Sequence, residues 1–241
     1  MSALIRVGHK GADALAPGNT LASFDAALAA GVDMIEFDVL AERTPWGSAQ
    51  RRGRAGTGTG ELFVAHDEGA LDRRRPLTLT QALAHLSSPP FEAVRLQLDI
   101  KRRGCEQGVL DALEQSGTRA RAFISTGVWS VLERMRALAP ELAIGWTVPE
   151  IPGVIGTPLL TPTIGRLYRA LLPARAATRI RAGAIDALVP HWRMVTPELV
   201  EAVRGAGGEL YAWTVDDRAE IARLEALGVT GVITNDPRLF A

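Results

Sequence analysis

The chain has a single cysteine, Cys105, so no internal disulfide can form, and such sparing use fits a reducing compartment. It has no charge excess either. Its 27 basic and 27 acidic residues cancel over 241 positions, which gives no electrostatic footprint for nucleic acid or an anionic membrane surface. No apolar run approaches the roughly 18 residues of a membrane span. The stretch before His9 is too short and too interrupted for a secretory leader. The expectation is a cytoplasmic protein that neither crosses a membrane nor binds nucleic acid; oligomeric state is left open. Lysine is almost missing: of the 27 basic residues only Lys10 and Lys101 are lysine, and the rest are arginine. An ammonium is a compact point charge on a flexible stem, chemically unlike a planar guanidinium. Both lysines fall inside the motifs described below. Apolar residues are plentiful at 47%, ample for one core.

The apolar residues come in short runs that alternate with helical spacing. Strands are predicted over residues 4–9, 34–40, 94–100, 122–125, 142–148, 185–190, 209–215 and 231–234, with a short returning strand at 62–65. Helices are predicted over 19–30, 78–86, 106–115, 128–138, 164–182, 197–205 and 218–227. Asn19 or Thr20 caps the first helix and Gly31 ends it, Thr78 caps the second, and Pro173 is expected to interrupt the helix at 164–182. Residues 42–60, rich in Arg, Gly, Thr and Ser, read as a long loop; the Gly56 to Gly60 stretch lacks the lysine and following helix of a phosphate loop. The basic clusters Gln50 to Arg54 and Arg73 to Arg75 read as solvated loop charge, and residues 149–162 as an irregular loop on the active face. Strands alternating with helices at this length predict an α/β protein, a single-domain (β/α)8 TIM barrel over residues 1–241. Barrel sites lie at the carboxyl ends of the strands.

The motif residues fall at those ends. Glu36 and Asp38 sit in the apolar run from Val32 to Leu40. Residues i and i+2 of a strand share a face, so the two carboxylates project side by side. At close range they repel and raise each other's pKa, and a divalent cation between them removes the conflict. Asp99 and Lys101 repeat the pattern on a second apolar strand, and His9-Lys10-Gly11 and His66-Asp67 also close apolar strands. His85, on the helix at 78–86, is read as structural. His191 ends a strand and is either structural or part of the rim; Trp213 either lines the site or packs. Asp67 either caps or orients its loop.

The ordered motifs resemble the glycerophosphodiester phosphodiesterase family of phospholipase C-like TIM barrels. That family opens His-Arg-Gly, then Ala-Pro-Glu-Asn-Thr, Glu-x-Asp, His-Asp and Glu-x-Lys, and closes with Trp-Thr and Gly-(Val/Ile)-x-Thr-Asp-x-Pro. The chain has His9-Lys10-Gly11, Ala16-Pro17-Gly18-Asn19-Thr20, Glu36-Phe37-Asp38, His66-Asp67, Asp99-Ile100-Lys101, Trp213-Thr214 and Gly231-Val232-Ile233-Thr234-Asn235-Asp236-Pro237. The likeness spans nearly the whole chain and keeps the family order. Three departures stand out. Lys10 replaces Arg and loses the bidentate fork for phosphate oxygens. Gly18 replaces Glu, which leaves the first loop one carboxylate short. Asp99 replaces Glu, as in the related venom-type sphingomyelinase D enzymes, which lack the Asn-Thr helix start. The stretch between His66-Asp67 and Asp99 is short, so the subdomain inserted there in many relatives is expected to be reduced or absent.

The resemblance implies a metal-dependent phosphodiesterase that releases sn-glycerol 3-phosphate and an alcohol from small-molecule glycerophosphodiesters. Glu36, Asp38 and Asp99 are the expected ligands of one divalent cation, Mg²⁺ or Ca²⁺, since all offer hard oxygen donors. His9 and His66 are the expected acid–base pair. Lys10, Asn19, Lys101 and Trp213 are the expected substrate-binding residues. The alternatives are an enzyme of lysophospholipase D type, or a degenerate barrel that binds phosphate ligands without turnover.

Overall fold

The computed structural model describes residues 3–41, 60–69, 76–148 and 162–241. The segments read above as long loops, including both basic clusters and the glycine-rich tip, lie wholly or largely outside the described residues. The apolar runs form the strands. In chain order the elements are β1 (Ile5–Gly8), α1 (Leu21–Ala29), β2 (Met34–Ala41), β3 (Leu62–Val64), β4 (Leu77–Thr78), α2 (Leu79–Leu86), β5 (Arg95–Ile100), α3 (Glu106–Gln115) and β6 (Ala122–Thr126). They continue with α4 (Trp129–Leu138), β7 (Ala143–Thr147), α5 (Pro162–Arg181), β8 (Ala187–Val189), α6 (Pro197–Gly205), β9 (Glu209–Ala212), α7 (Arg218–Leu227) and β10 (Gly231–Thr234). β1 pairs in parallel with both β2 and β10, which closes the barrel through β5, β6, β7, β8 and β9. The eight parallel strands make the TIM barrel that the alternation predicts. β3 and β4 lie outside it: β3 runs antiparallel to the last residues of β2, with Val39 opposite Val64, and β4 pairs with β3. His66 thus leaves a strand that is not part of the barrel wall.

Period-two alternation divides the side chains between two cores. Ile35, Phe37 and Val39 of β2 and Leu96, Leu98 and Ile100 of β5 belong to the large outer core beneath the helices. Val7, Met34, Phe123, Ala187, Val189, Tyr211 and Ile233 fill the barrel interior. Interior packing needs small residues opposite large ones: a Cβ at Gly145 would fall 2.5 Å from Phe123 Cζ. Glu36, Asp38 and Asp99 share this inward phase, one or two layers above the apolar plug.

The helices begin where the sequence marks them. Thr20 and Thr78 each accept from the third backbone N–H of their helix, and Ser23 and Gln81 reach back to complete capping boxes. One expectation fails. α5 runs unbroken through Pro173. Proline removes one helical hydrogen bond, but Leu172, Ala176 and Ile180 on either side of it are buried in the outer core. The Arg179 guanidinium lies 4.1 Å from the Trp129 ring centroid. Burial of each large aliphatic side chain contributes about 1.5–3 kcal/mol, enough to hold the helix through the gap. Among the described residues no helix is long and apolar enough to cross a membrane.

Candidate active site

The two acidic strands lie side by side, and their register sets the site. Asp38 of β2 pairs directly with Asp99 of β5, and Glu36 with Gln97. One carboxylate oxygen from each of Glu36, Asp38 and Asp99 lies within 4.8 Å of the others, and all three residues are buried. Lys101, just beyond β5, folds back over them. Its Nζ sits 2.6 Å from Asp38 Oδ1 and also pairs with Asp99 Oδ2. Lys10 Nζ is 4.0 Å from Asp38 Oδ2. Ser125 and Thr147, at the ends of the next two strands, donate to Asp99 Oδ1 at 2.9 and 3.0 Å. Gln97 Nε2 donates to Ser125 Oγ at 3.0 Å.

Electrostatics follow from this crowding. Burial and the neighbouring Asp38 push the Glu36 carboxyl well above the usual carboxylate range. Burial also disfavours charge on Asp38, but Lys101, Lys10 and the Asn19 amide outweigh it and hold that carboxyl low. Burial lowers the Lys101 ammonium, yet Asp99, Asp38 and Glu36 together raise it above its ordinary value. Burial lowers the His9 imidazole against an opposing hydrogen bond to Asn235, which favours its neutral form.

The turn after β1 carries the first motif. Lys10 and Asn19 both adopt positive φ, 51° and 61°, a region asparagine tolerates and lysine seldom enters. Asn19 N–H and Ser23 Oγ both donate to the Lys10 carbonyl, at 2.9 and 2.7 Å, and pin the turn. Lys10 N–H then donates to Glu36 Oε2 at 2.9 Å. Asn19 Nδ2 donates to Asp38 Oδ2 at 2.8 Å. Gly18 is not simply a missing carboxylate. Its N–H donates to Asp13 Oδ1 at 2.7 Å, and a Cβ there would fall 2.5 Å from that oxygen. Asp13 fills the space and gives the loop an acid that motif matching overlooks.

His9, Lys10, Glu36, His66, Gln97, Asp99, Lys101 and Trp213 line one cavity of about 260 Å³. His9 Nε2 stands 3.9 Å from Glu36 Oε2. His66 enters from the other side; its ring is half exposed and its Nδ1 is 3.3 Å from Asp67 Oδ2. Trp213 forms part of the wall and donates from Nε1 to the Val189 carbonyl at 2.9 Å. A second cavity of about 540 Å³ shares Lys10 and His66 with the first and extends past Asp13, Asn19, Leu21, Val64 and Leu77. His191 packs against Trp213 and its Nδ1 accepts from Arg193 N–H at 3.2 Å, capping the turn that follows. His85 is remote from the mouth, where it pairs with Asp25 at 2.7 Å. Sequence reading missed Ser125, Thr147 and Gln97. Inward phase on neighbouring strands is the signal that would have found the first and last of these, and Thr147 ends β7 at the same rim.

Fold and site together define an enzyme of the (β/α)8-barrel class that works at the carboxyl ends of its strands. Comparison with known proteins gives the family. The model of the glycerophosphoryl diester phosphodiesterase family matches residues 9–43 and 93–239, and the chain belongs to that family. A glycerophosphodiester phosphodiesterase of Caldanaerobacter subterraneus is 26% identical over 96% of this chain and 93% of its own. An Arabidopsis thaliana glycerophosphodiester phosphodiesterase is 28% identical over 96% of this chain and 70% of its own. Among solved structures, a putative glycerophosphoryl diester phosphodiesterase of Silicibacter pomeroyi superposes with a TM-score of 0.70 at 23% identity, covering 99% of this chain and 92% of that one. An Oleispira antarctica phosphodiesterase in complex with sn-glycerol-3-phosphate superposes with a TM-score of 0.71 at 20% identity, covering 97% and 93%.

Proposed function

We propose that this protein hydrolyses glycerophosphodiesters to sn-glycerol 3-phosphate and an alcohol. One observation carries the reading: two imidazoles, two ammonium groups and the carboxylates of Glu36 and Asp99 line a single small cavity, and buried Asp38 beside them completes the acidic trio. A phosphodiester is anionic and repels a nucleophile, so its cleavage needs charge neutralisation and two proton transfers. Lys10 and Lys101 offset the phosphate charge. His9 and His66 share the transfers, one taking the proton of the attacking hydroxyl and the other protonating the departing alkoxide. Trp213 covers the glycerol carbons. The buried Gln97 Oε1, which has no hydrogen-bond partner among the described residues, accepts from a glycerol hydroxyl. The alcohol lies beyond His66, in the larger cavity. Residues 1–241 act as one domain.

The acidic trio fits a hard divalent cation. Its donors are all carboxylate oxygens, and Asp38 Oδ1 is buried with no well-angled hydrogen bond, only the Lys101 ion pair. Glu36, Asp38 and Asp99 would hold one Mg²⁺ or Ca²⁺, which when bound supplies Lewis-acid stabilisation of phosphate charge. The test is to strip the protein with chelator and assay glycerol 3-phosphate release from glycerophosphocholine and glycerophosphoethanolamine, with and without each metal. Release restored by Mg²⁺ or Ca²⁺ supports the reading. No release with either metal would sink it. The apolar wall of the larger cavity, with Leu21, Val64 and Leu77, favours a lysophospholipid as second substrate, tested by release of its head-group alcohol under the same metal conditions. Failure on both substrates would leave a degenerate phosphate-binding barrel.

A further inference from the structure

His9 is held from behind by two further residues. Its Nδ1 lies 2.5 Å from Asn235 Oδ1. Asn235 is gripped in turn by Asp216: Nδ2 donates to Asp216 Oδ2 at 2.6 Å, and the Asn235 backbone N–H donates to Oδ1 at 2.8 Å. The Thr234 hydroxyl adds a third bond to Oδ1, at 3.0 Å. The donor and acceptor chemistry then fixes every atom in the row. An ionised carboxylate only accepts, so the amide atom facing Asp216 is the nitrogen. The amide oxygen therefore faces His9 and can only accept, so Nδ1 carries the hydrogen. A neutral imidazole has one N–H, which leaves the lone pair on Nε2. Nε2 is the nitrogen on the Glu36 side, and His9 lines the cavity. The three residues follow three neighbouring strands, β9, β10 and β1, so the barrel order brings them together.

We propose that Asp216 is a positioning residue: through Asn235 it fixes His9 in the Nδ1–H tautomer, so that Nε2 faces the substrate as the proton acceptor of the reaction. This rests on the phosphodiesterase reading above. Nε2 takes the proton of the attacking hydroxyl as its oxygen bonds to phosphorus; attack by water gives glycerol 3-phosphate directly, and attack by a substrate hydroxyl gives a cyclic phosphate that water opens in a second step. The phosphorus–oxygen bond to the alcohol breaks, and His66 gives the departing alkoxide its proton. Asp216 touches neither substrate nor reacting atoms, and it is exposed, so its replacement empties no core.

The test pairs Asp216→Asn with the double variant Asp216→Asn/Asn235→Asp. In the single variant the new amide keeps its oxygen on the Asn235 and Thr234 donors and turns its NH2 toward Asn235 Nδ2. Two donors then meet, Asn235 turns over, and its NH2 faces Nδ1, which must give up its hydrogen. In the double variant the amide at 216 donates to a carboxylate at 235, which again accepts from Nδ1–H. The tautomer is read from the imidazole 15N shifts of the unligated protein, with His9 assigned by the signal lost in His9→Gln. Turnover is read on glycerophosphocholine. The expected result is Nδ1–H in the wild type. Asp216→Asn should move the hydrogen to Nε2 and lower kcat by about 10²-fold with KM nearly unchanged, and the double variant should recover both. Hydrogen on Nε2 in the wild type would overturn the proposal. So would unchanged tautomer and kcat in Asp216→Asn, or a double variant no better than the single. The expected tautomers in a wild-type protein that releases no glycerol 3-phosphate would sink the phosphodiesterase reading and uphold the Asp216–Asn235–His9 arrangement.

Discussion

Asn19 and Asp38 exchange two hydrogen bonds: Asn19 Nδ2 donates to Asp38 Oδ2 at 2.8 Å, and Asp38 N–H donates to Asn19 Oδ1 at 3.2 Å. This clamp ties the loop before α1 to the acidic strand β2, and it places the amide against a buried carboxylate rather than against substrate alone. Asn19→Ala removes both hydrogen bonds, leaving the Asp38 N–H unpaired and Oδ2 with only the Lys10 ammonium at 4.0 Å, and forces alanine to a φ of 61°. The expected loss is about 1–3 kcal/mol from the unpaired groups, plus backbone strain. Asn19→Gly loses the same bonds without the strain, so it should fall between alanine and wild type. Urea midpoints of the three proteins check the order; equal midpoints for glycine and wild type would show that the clamp contributes nothing.

Lys101 is a second clamp, one of charge. It neutralises Asp38 and Asp99, each buried. Removing one partner of a buried ion pair leaves an uncompensated charge, at a cost of about 3–5 kcal/mol. Lys101→Met should therefore melt well below wild type in chelator. Mg²⁺ or Ca²⁺ would replace the missing positive charge, so saturating metal should raise the variant's Tm more than the wild type's. Thermal melts with and without each metal read this directly. An equal metal shift in both proteins would show that Lys101 does not compete with a cation for the trio.

The pH dependence of stability has one named source in the Arg6–Asp33 pair. Arg6 donates to Asp33 from its backbone N–H and from two guanidinium nitrogens, and this holds the Asp33 carboxyl below its ordinary value. A carboxyl depressed on folding stabilises the fold above its unfolded pKa, near 3.9, and that contribution disappears as pH falls through the lower folded value. Asp33→Asn should accordingly be less stable than wild type at pH 7, with the gap closing below about pH 3.9. Both side chains are about two-fifths exposed, so solvent screening keeps the gap small. Denaturant midpoints from pH 2 to 7 test the convergence; a constant gap would place the effect elsewhere.

The acidic trio could be read from sequence because strand periodicity alone puts Glu36 and Asp38 on one face, and a second apolar run ending in an acid implies a neighbouring strand. Capping chemistry likewise marked α1 and α2 within a residue or two. Three features depend on information that lies between segments. The register of β2 on β5, which sets Asp38 beside Asp99, is a property of barrel closure. The Asp216–Asn235–His9 row joins residues from both ends of the chain, and no local pattern relates them. Pro173 misled because helix rules price the lost hydrogen bond but not the buried face of Leu172, Ala176 and Ile180 that outweighs it. His66 was placed at a strand end correctly, yet that strand is the antiparallel β3, so its ring reaches the cavity from outside the barrel wall.

Gly18 shows how a departure from a family pattern can be compensated rather than lost. The family pattern has glutamate at this motif position, and restoring it looks conservative. Here the space is taken: a Cβ at 18 would lie 2.5 Å from Asp13 Oδ1 and 2.9 Å from Lys10 Cβ. Gly18→Glu must therefore displace the Asp13 carboxylate, break its bond to the residue 18 N–H and push on the turn that aims Lys10. It also sets two carboxylates in one place, where each disfavours ionisation of the other. Overpacking of this kind costs about 1–3 kcal/mol. The expected result is a Gly18→Glu protein with lowered Tm and impaired turnover. The double variant Asp13→Ala/Gly18→Glu, with the space vacated, should regain much of both. The decisive comparison is the coupling between the two substitutions. Losses that simply add would mean that Asp13 and a glutamate at 18 do not compete for one place.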